Sequence, residues 1–346
     1  MANHNLDNFD IILAPTLALA NENGPYEATV EAEYGAACVE GTMVTLAHHG
    51  ERSGNPAPCN AEVEPLKGGK ILLSHVDLDA IGGVMAVAGI KPEDPAFWQA
   101  AEFIDVNGPH HIHELPQKEQ DKLNAFYAFE SENRPRYPRD QISDVKADIE
   151  AKAAVLEAVL DERHPEHVQR IAEGASWEAK VTGAVEACLR QESDKVRTFS
   201  TPGVFCSSTY YSPNKEAIIP CTAVYNQKLQ AVTLAFADGG KEISAEKVMQ
   251  EIFGPEAGGR GGIAGTPRGV AFTEQDAMQV TKFVEAEYLS LEARGKDGSI
   301  IDLAKNAEAN KIKGDVISEV RRSNPYFAEK GLADPAKTAD DKKNLR

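Results

Sequence analysis

The segment Ser74-His75-Val76-Asp77-Leu78-Asp79-Ala80-Ile81-Gly82-Gly83 places an imidazole and two carboxylates at every second position. In an extended backbone alternate side chains share a face, so His75, Asp77 and Asp79 are expected to converge. Hard oxygen donors combined with imidazole suit Mn²⁺, Mg²⁺ or Zn²⁺. The segment follows the apolar run Lys70–Ser74 and precedes a helical pattern. In α/β sheets ligands bind at the carboxyl ends of strands, which is where this segment falls. Gly82 and Gly83 leave room for a second backbone or a phosphate to approach closely.

Two histidine pairs extend the pattern. His48-His49 ends the run TMVTLAHH, and His110-His111, with His113, follows FIDVNGP. One such histidine is ordinarily a hydrogen-bonded structural residue, whereas two pairs flanking HxDxD point to a common metal centre. Asp105, in FIDVNG, is read as a strand-end carboxylate able to bridge two ions. Ions ~3.5–4 Å apart activate water and clamp a phosphoryl group. The polar loop after His49 offers Arg52 and Asn55 as substrate contacts. It also contains Cys59, read as an ordinary thiol because no neighbouring residue would activate it. No GxSxG elbow is present, which argues against a serine hydrolase of that kind. Farther on, the stretch Phe253–Gly269 is rich in glycine and carries two arginines. Gly259, Gly261 and Gly262 can present backbone amides to an anion, and Arg260 and Arg268 can fork onto phosphate oxygens. This loop fits neither the phosphate-loop nor the dinucleotide fingerprint.

The elements that position these groups read as an α/β chain. Ile11–Leu19, Met43–Ala47, Lys70–Ser74 and Glu102–Val106 are continuous apolar runs, as expected of strands buried on both faces of a parallel sheet. Ala80–Ala88 and Pro95–Ala101 are helical. Ser143 to Gln191 reads as a helical connector, with Ser143 as N-cap and apolar residues at Val145, Ile149, Leu156 and Leu160. Val204–Tyr211, Ala217–Tyr225 and Ala231–Ala237 are strand-like. Ser244–Phe253 is a serine-capped helix, and Thr273 with Asp276 forms a capping box for a helix running to Ala293. The domains are expected at residues 1–194 (metal-binding domain and connector), 195–294 (a smaller α/β substrate domain) and 295–346 (a polar extension with frayed end).

Composition narrows the partners. The chain has 346 residues, long enough for two domains, and a formal charge of −18. Such acidity disfavours duplex nucleic acid and anionic membranes, but allows a small anion held by a bound cation or a local basic pocket. Five widely spaced cysteines without a CxxC pair fit reduced thiols and a cytoplasmic setting. The run IILAPTLALA lacks a preceding basic region and reads as a strand, not a signal peptide.

Taken together, the motifs resemble the DHH phosphoesterase superfamily with its DHH-associated C-terminal domain. SHVDLDAIGG matches the family's HxDxD motif. The order AVTLAFADGG, SAEKVMQEIFG, GGRGGIAG echoes its C-terminal strand, helix and glycine loop. The likeness covers Lys70–Glu114 and Ala217–Val270. It implies a parallel-sheet DHH-like domain and manganese held by His75, Asp77 and Asp79, with Asp105 bridging. It also implies a substrate phosphate or terminal group held at Arg260 and the adjacent glycines. The chain has no Asp-His-His triplet. Pro109-His110-His111 lies downstream of the first motif, as in the family, and makes His110 or His111 the acid that protonates the leaving group. Ala47-His48-His49 lies upstream, and its use as ligands requires an altered strand order. Arg260 stands where the family has histidine.

The expected activity is hydrolysis of a phosphoester or phosphoanhydride in a small, anionic substrate, in a cleft between domains that the connector allows to close. The pattern leaves a homodimer open. The rival reading is a non-catalytic nucleotide- or metal-binding protein on the same scaffold, and a third is a C–N or ester hydrolase sharing HxDxD by convergence.

Overall fold

The computed structural model describes residues 5–203, 211, 218–295 and 297–332. The chain forms two compact units, residues 1–180 and 181–346, both α/β with mixed sheets. The division falls inside one helix, His167–Glu186.

In the first unit, β1 (Phe9–Leu13) is followed by α1 (Leu17–Asn23), β2 (Ala28–Val30), the short hairpin β3 (Glu33–Tyr34) and β4 (Ala37–Cys38), then β5 (Val44–Leu46) and β6 (Gly69–Leu73). Helices α2 (Leu78–Ala88), α3 (Pro95–Asn107) and α4 (Gln117–Asn133), strand β7 (Ser143–Asp144) and helix α5 (Lys146–Leu160) complete it. The sheet order is β5-β2-β6-β1-β7. The first four strands run parallel and β7 pairs antiparallel with β1. Ile71, Leu73, Ile11, Leu13 and Val30 pack with Ile81, Val84, Phe97, Trp98 and Ile149 in one core. Burial of such side chains stabilises each by about 1.5–3 kcal/mol, which anchors the strand ends that carry the ligands.

Three expectations are corrected here. The run Ile11–Leu19 is not one strand: β1 stops at Leu13, and Thr16 caps α1 by accepting the Leu19 N–H. Glu102–Val106 is not a strand but the second half of α3. Asp94 caps that helix, Pro95 opens it, and Phe97, Trp98, Ala101 and Ile104 are buried at helical spacing. A continuous helical stripe outweighs five locally strand-like residues. Ser143 lies in β7, paired with Leu13, so the residue at the start of α5 is Val145.

The second unit begins with the end of α6 (His167–Glu186). It contains β8 (Leu189–Glu192), β9 (Val196–Thr201), β10 (Cys221–Asn226), β11 (Ala231–Phe236), α7 (Ala245–Phe253), β12 (Gly258–Arg260), β13 (Ile263–Gly265), α8 (Glu274–Glu292), α9 (Leu303–Ser323) and α10 (Pro325–Glu329). Its sheet order is β12-β13-β11-β10-β9-β8, with only β9 and β10 parallel. Residues 181–194, grouped from sequence with the first domain and its connector, belong with this unit, where β8 pairs with β9. Ser244 caps α7, and Thr273 and Asp276 form the expected capping box of α8. The chain after Gly295 is more than a polar extension: Val316 and Val320 of α9 and Phe327 of α10 lie in the core with Phe253, Phe272 and Phe283. The strand expected at Val204–Tyr211 and the frayed last dozen residues lie almost wholly outside the described residues.

Candidate metal centre

Three adjacent parallel strands deliver the ligands. Glu31 follows β2, His48 and His49 follow β5, and His75 and Asp77 follow β6. β2 lies between β5 and β6, so Glu31 sits centrally at the carboxyl edge of the sheet. Two groups of ligand atoms result, each gathered within 4.8 Å: Glu31, His48, His49 and Asp105, and Glu31, His75 and Asp77. The Glu31 carboxylate is common to both. Its Oε1 lies 3.0 Å from His48 Nε2 and 3.1 Å from His49 Nε2, and its Oε2 lies 2.9 Å from His75 Nε2. Glu31, rather than Asp105, is thus the carboxylate placed to serve both groups, while Asp105 joins the inner group from the last turn of α3.

Asp79 arrives by a route that alternation does not describe. The backbone is extended only as far as Asp77, whose Oδ1 caps α2 by accepting the Ala80 N–H at 2.9 Å. Asp79 is already in the first helical turn, buried, and its Oδ2 lies 3.2 Å from His48 Nε2. Strand periodicity holds for His75 and Asp77; Asp79 turns to the other group. Its second oxygen accepts the Cys59 N–H at 2.7 Å. Gly82 and Gly83 make this approach possible. A Cβ at Gly82 would lie 2.5 Å from Cys59 Cβ, and one at Gly83 would lie 2.6 Å from Val30 Cγ1. These glycines therefore admit protein atoms, not a phosphate.

The inner group is short of positive charge. Three carboxylate oxygens crowd His48 Nε2: Glu31 Oε1 at 3.0 Å, Asp79 Oδ2 at 3.2 Å and Asp105 Oδ2 at 3.4 Å. A ring nitrogen carries at most one proton and serves one acceptor well. Glu31 Oε1 makes that hydrogen bond, while Asp79 Oδ2 and Asp105 Oδ2, both buried atoms, have no hydrogen-bond partner. Glu31 Oε2 is likewise buried without a hydrogen bond. Buried, unpaired carboxylate oxygens are costly, by several kcal/mol per ion. Four carboxylates with three neutral imidazoles sum to −4, the charge that two divalent cations cancel. The residues therefore fit divalent cations that accept imidazole and carboxylate together, with the charge to balance two.

Without an ion, protons take the cation's place. Attraction to the Asp105, Asp79 and Glu31 carboxylates outweighs burial and pushes His48 up to about 12. For His75 burial pulls downward but is outweighed by Asp77 and Glu31, giving about 10. Burial would raise Glu31, yet attraction to the His48 and His75 rings brings it below the ordinary carboxylate value.

Supporting contacts hold the ligands in place. The Glu33 carboxylate accepts the backbone N–H of His48 at 3.2 Å and of His49 at 3.1 Å. Glu31 adopts φ +50°, the left-handed region, fixed by its own N–H donating to Leu46 O at 2.8 Å. Backbone strain of this kind costs about 1–3 kcal/mol and persists only where the surroundings over-determine it.

The remaining candidates fall elsewhere. Asn55 donates to Ala47 O at 2.9 Å and steadies the His48 turn; Arg52 pairs with Glu40 at 3.4 Å. His110 is buried, and His111 meets Glu114 at 2.7 Å. Neither belongs to a ligand group. Cys59 is buried with its thiol pushed far up by burial, which agrees with an unreactive thiol. In the second unit Gly259 and Arg260 lie in β12 and Gly261-Gly262 form the turn to β13. The turn's carbonyls are used within the fold: Gly261 O accepts the Ala245 N–H and Gly262 O the Phe236 N–H. Arg260 and Arg268 are exposed.

Sequence reasoning missed Glu31 and Glu33. β2 is only three residues long, too short to register as an apolar run, although Thr29-Val30 between Pro25 and Gly35 was a usable strand signal. Known protein-family models give no match to the chain, and neither do curated proteins.

Proposed function

We propose that this chain is a divalent-metal-dependent phosphoesterase of DHH-like architecture. It would act on a small anionic, phosphorylated or nucleotide-type substrate, with manganese as the working ion. The observation that carries this reading is the crowding of three carboxylate oxygens on His48 Nε2, two of them without a hydrogen-bond partner. When bound, a pair of divalent ions supplies Lewis acidity to a water and to the phosphoryl group.

The chain's own residues do the rest. Glu31, His48, Asp79 and Asp105 bury the inner position, while His49, His75 and Asp77 have side chains 49, 48 and 38 % exposed and form the side open to substrate. The net charge of −18 turns away long polyanions, so a small substrate is favoured. A cytoplasmic setting is supported by the four described cysteines, all free thiols. Among the described residues no helix is long and apolar enough to cross a membrane.

The test combines metal analysis with a manganese-dependent assay over short oligonucleotides, cyclic dinucleotides, pyrophosphate and nucleotides. Turnover that chelation abolishes, manganese restores, and Asp77→Ala with Asp79→Ala removes is the expected result. Turnover indifferent to chelation overturns the proposal. Ion uptake without turnover across the panel replaces it with the non-catalytic metal-binding reading.

A further inference from the structure

Ser74 lies between two ligands without belonging to either group. Its hydroxyl donates to the backbone carbonyl of Glu31, and the same oxygen lies 2.8 Å from His75 Nδ1. A serine hydroxyl has one proton, and a carbonyl can only accept. With that proton committed to Glu31 O, the contact with His75 must run the other way, Nδ1–H donating to Ser74 Oγ. In neutral His75 the proton is therefore on Nδ1, and Nε2 presents a bare lone pair. That lone pair points between Glu31 Oε2 at 2.9 Å and Asp77 Oδ2 at 3.1 Å. Three electron-rich atoms facing one another are held together by a proton on Nε2 when no ion is bound, and by a cation in its place once that proton leaves. Ligating histidines ordinarily have their second ring nitrogen fixed in this manner.

The same hydroxyl also acts on Glu31. That residue's left-handed backbone is clamped on one side by Leu46 O and on the other by Ser74 Oγ. One side chain thus sets the tautomer of His75 and the carbonyl orientation of the shared ligand.

We propose that Ser74 is the positioning residue of the outer metal position, presetting His75 Nε2 as a donor and tying it to Glu31. The inner position has its own supports, Glu33 beneath His48 and His49 and the Cys59 N–H on Asp79, and does not depend on Ser74 in this manner. This inference rests on the two-ion reading above.

The experiment is calorimetric titration of Mn²⁺ into the chelator-treated full chain, comparing the wild type with Ser74→Ala and Ser74→Thr. For Ser74→Ala the first equivalent should bind as in the wild type and the second about 10–100-fold more weakly, the usual effect of losing such a partner. Ser74→Thr keeps a hydroxyl and should return the second equivalent to within about threefold of the wild type, well inside that loss. Wild-type binding of both equivalents by Ser74→Ala overturns the role of Ser74 and leaves the two-ion reading standing. Equal loss of both equivalents, or a threonine variant as weak as alanine, also overturns it. A wild-type chain that takes up no Mn²⁺ overturns both readings.

Discussion

The inner and outer halves of the ligand cluster share Glu31 but differ in how far they are committed to a cation. Side chains of the inner half are buried at Glu31, His48 and Asp79, which are 0, 5 and 1 % exposed. Their carboxylate oxygens cannot turn to water. In the outer half His75 and Asp77 are partly solvated, and water can replace an ion at modest cost. A buried excess of negative charge is a binding site by necessity, while an exposed one is a site only when something organises it. The inner half should therefore retain its ion, and the outer half should exchange it with solvent.

Glu31→Gln offers the severest break of this contrast, because it removes a ligand from both halves. Both equivalents of metal should be lost in elemental analysis after dialysis. The drop in affinity should exceed the ~10–100-fold typical of residues one shell farther out. Retention of one tightly held ion would show that Glu31 serves a single half. Asp79→Asn comes next and is confined to the inner half. Its Oδ1 can still accept the Cys59 N–H, while the unpartnered buried oxygen is replaced by a neutral amide. The inner ion should be lost and turnover with it, while the outer ion is retained. The chelated variant should also melt lower than the chelated wild type at pH 7, since Asp79 is one of the carboxylates that hold His48 protonated when no ion is bound. An unchanged melting temperature would mean that Asp79 does not pair with His48 in the chelated chain.

The contrast also explains what could be read from sequence. His75, Asp77 and Asp79 are separated by single residues, and the local pattern alone exposes them. His48-His49 was visible as a pair at the end of an apolar run. Glu31 was not, because its importance arises from β2 lying between β5 and β6, and strand order is a property of the sheet rather than of any segment. Asp105 was identified as a ligand on faulty grounds: it reaches the cluster from a helix, not a strand. The second unit shows the converse. Caps at Ser244 and Thr273 are local and were legible; α9 was not, because its buried stripe of Ala309, Val316 and Val320 is sparse among lysine and glutamate. The hairpin glycines suggested an anion loop, but Gly259 and Gly262 are required by backbone packing: a Cβ there would meet Ile263 O at 2.3 Å and Gly239 Cα at 2.9 Å.

A smaller effect concerns pH in the chelated chain. His48 and His75 are held well above the ~6.5 of an unfolded histidine, at about 12 and about 10. A raised value in the folded state gives stability that is complete below pH ~6.5 and is lost as pH rises through the folded values. The chelated protein should accordingly melt progressively lower between pH 7 and 10. The metal-loaded protein, whose ligands have released those protons, should show a flatter profile. Equal slopes for the two forms would remove the idea that protons and cations compete for the same positions.

The smallest expected effect tests the support beneath the inner half. Glu33 accepts the backbone N–H groups of His48 and His49 through a charged carboxylate. Hydrogen bonds to charged groups contribute about 1.5–3 kcal/mol against about 0.5–1.5 for neutral ones. Glu33→Gln keeps an acceptor but removes the charge, so the loss is about 1 kcal/mol, equivalent to about fivefold in binding. That loss should fall on the first equivalent in a Mn²⁺ titration and spare the second, the mirror image of Ser74→Ala. If Glu33→Gln weakens the second equivalent instead, the histidine turn is not specific to the inner ion. The two halves would then be one coupled site, in which moving any ligand shifts both ions together.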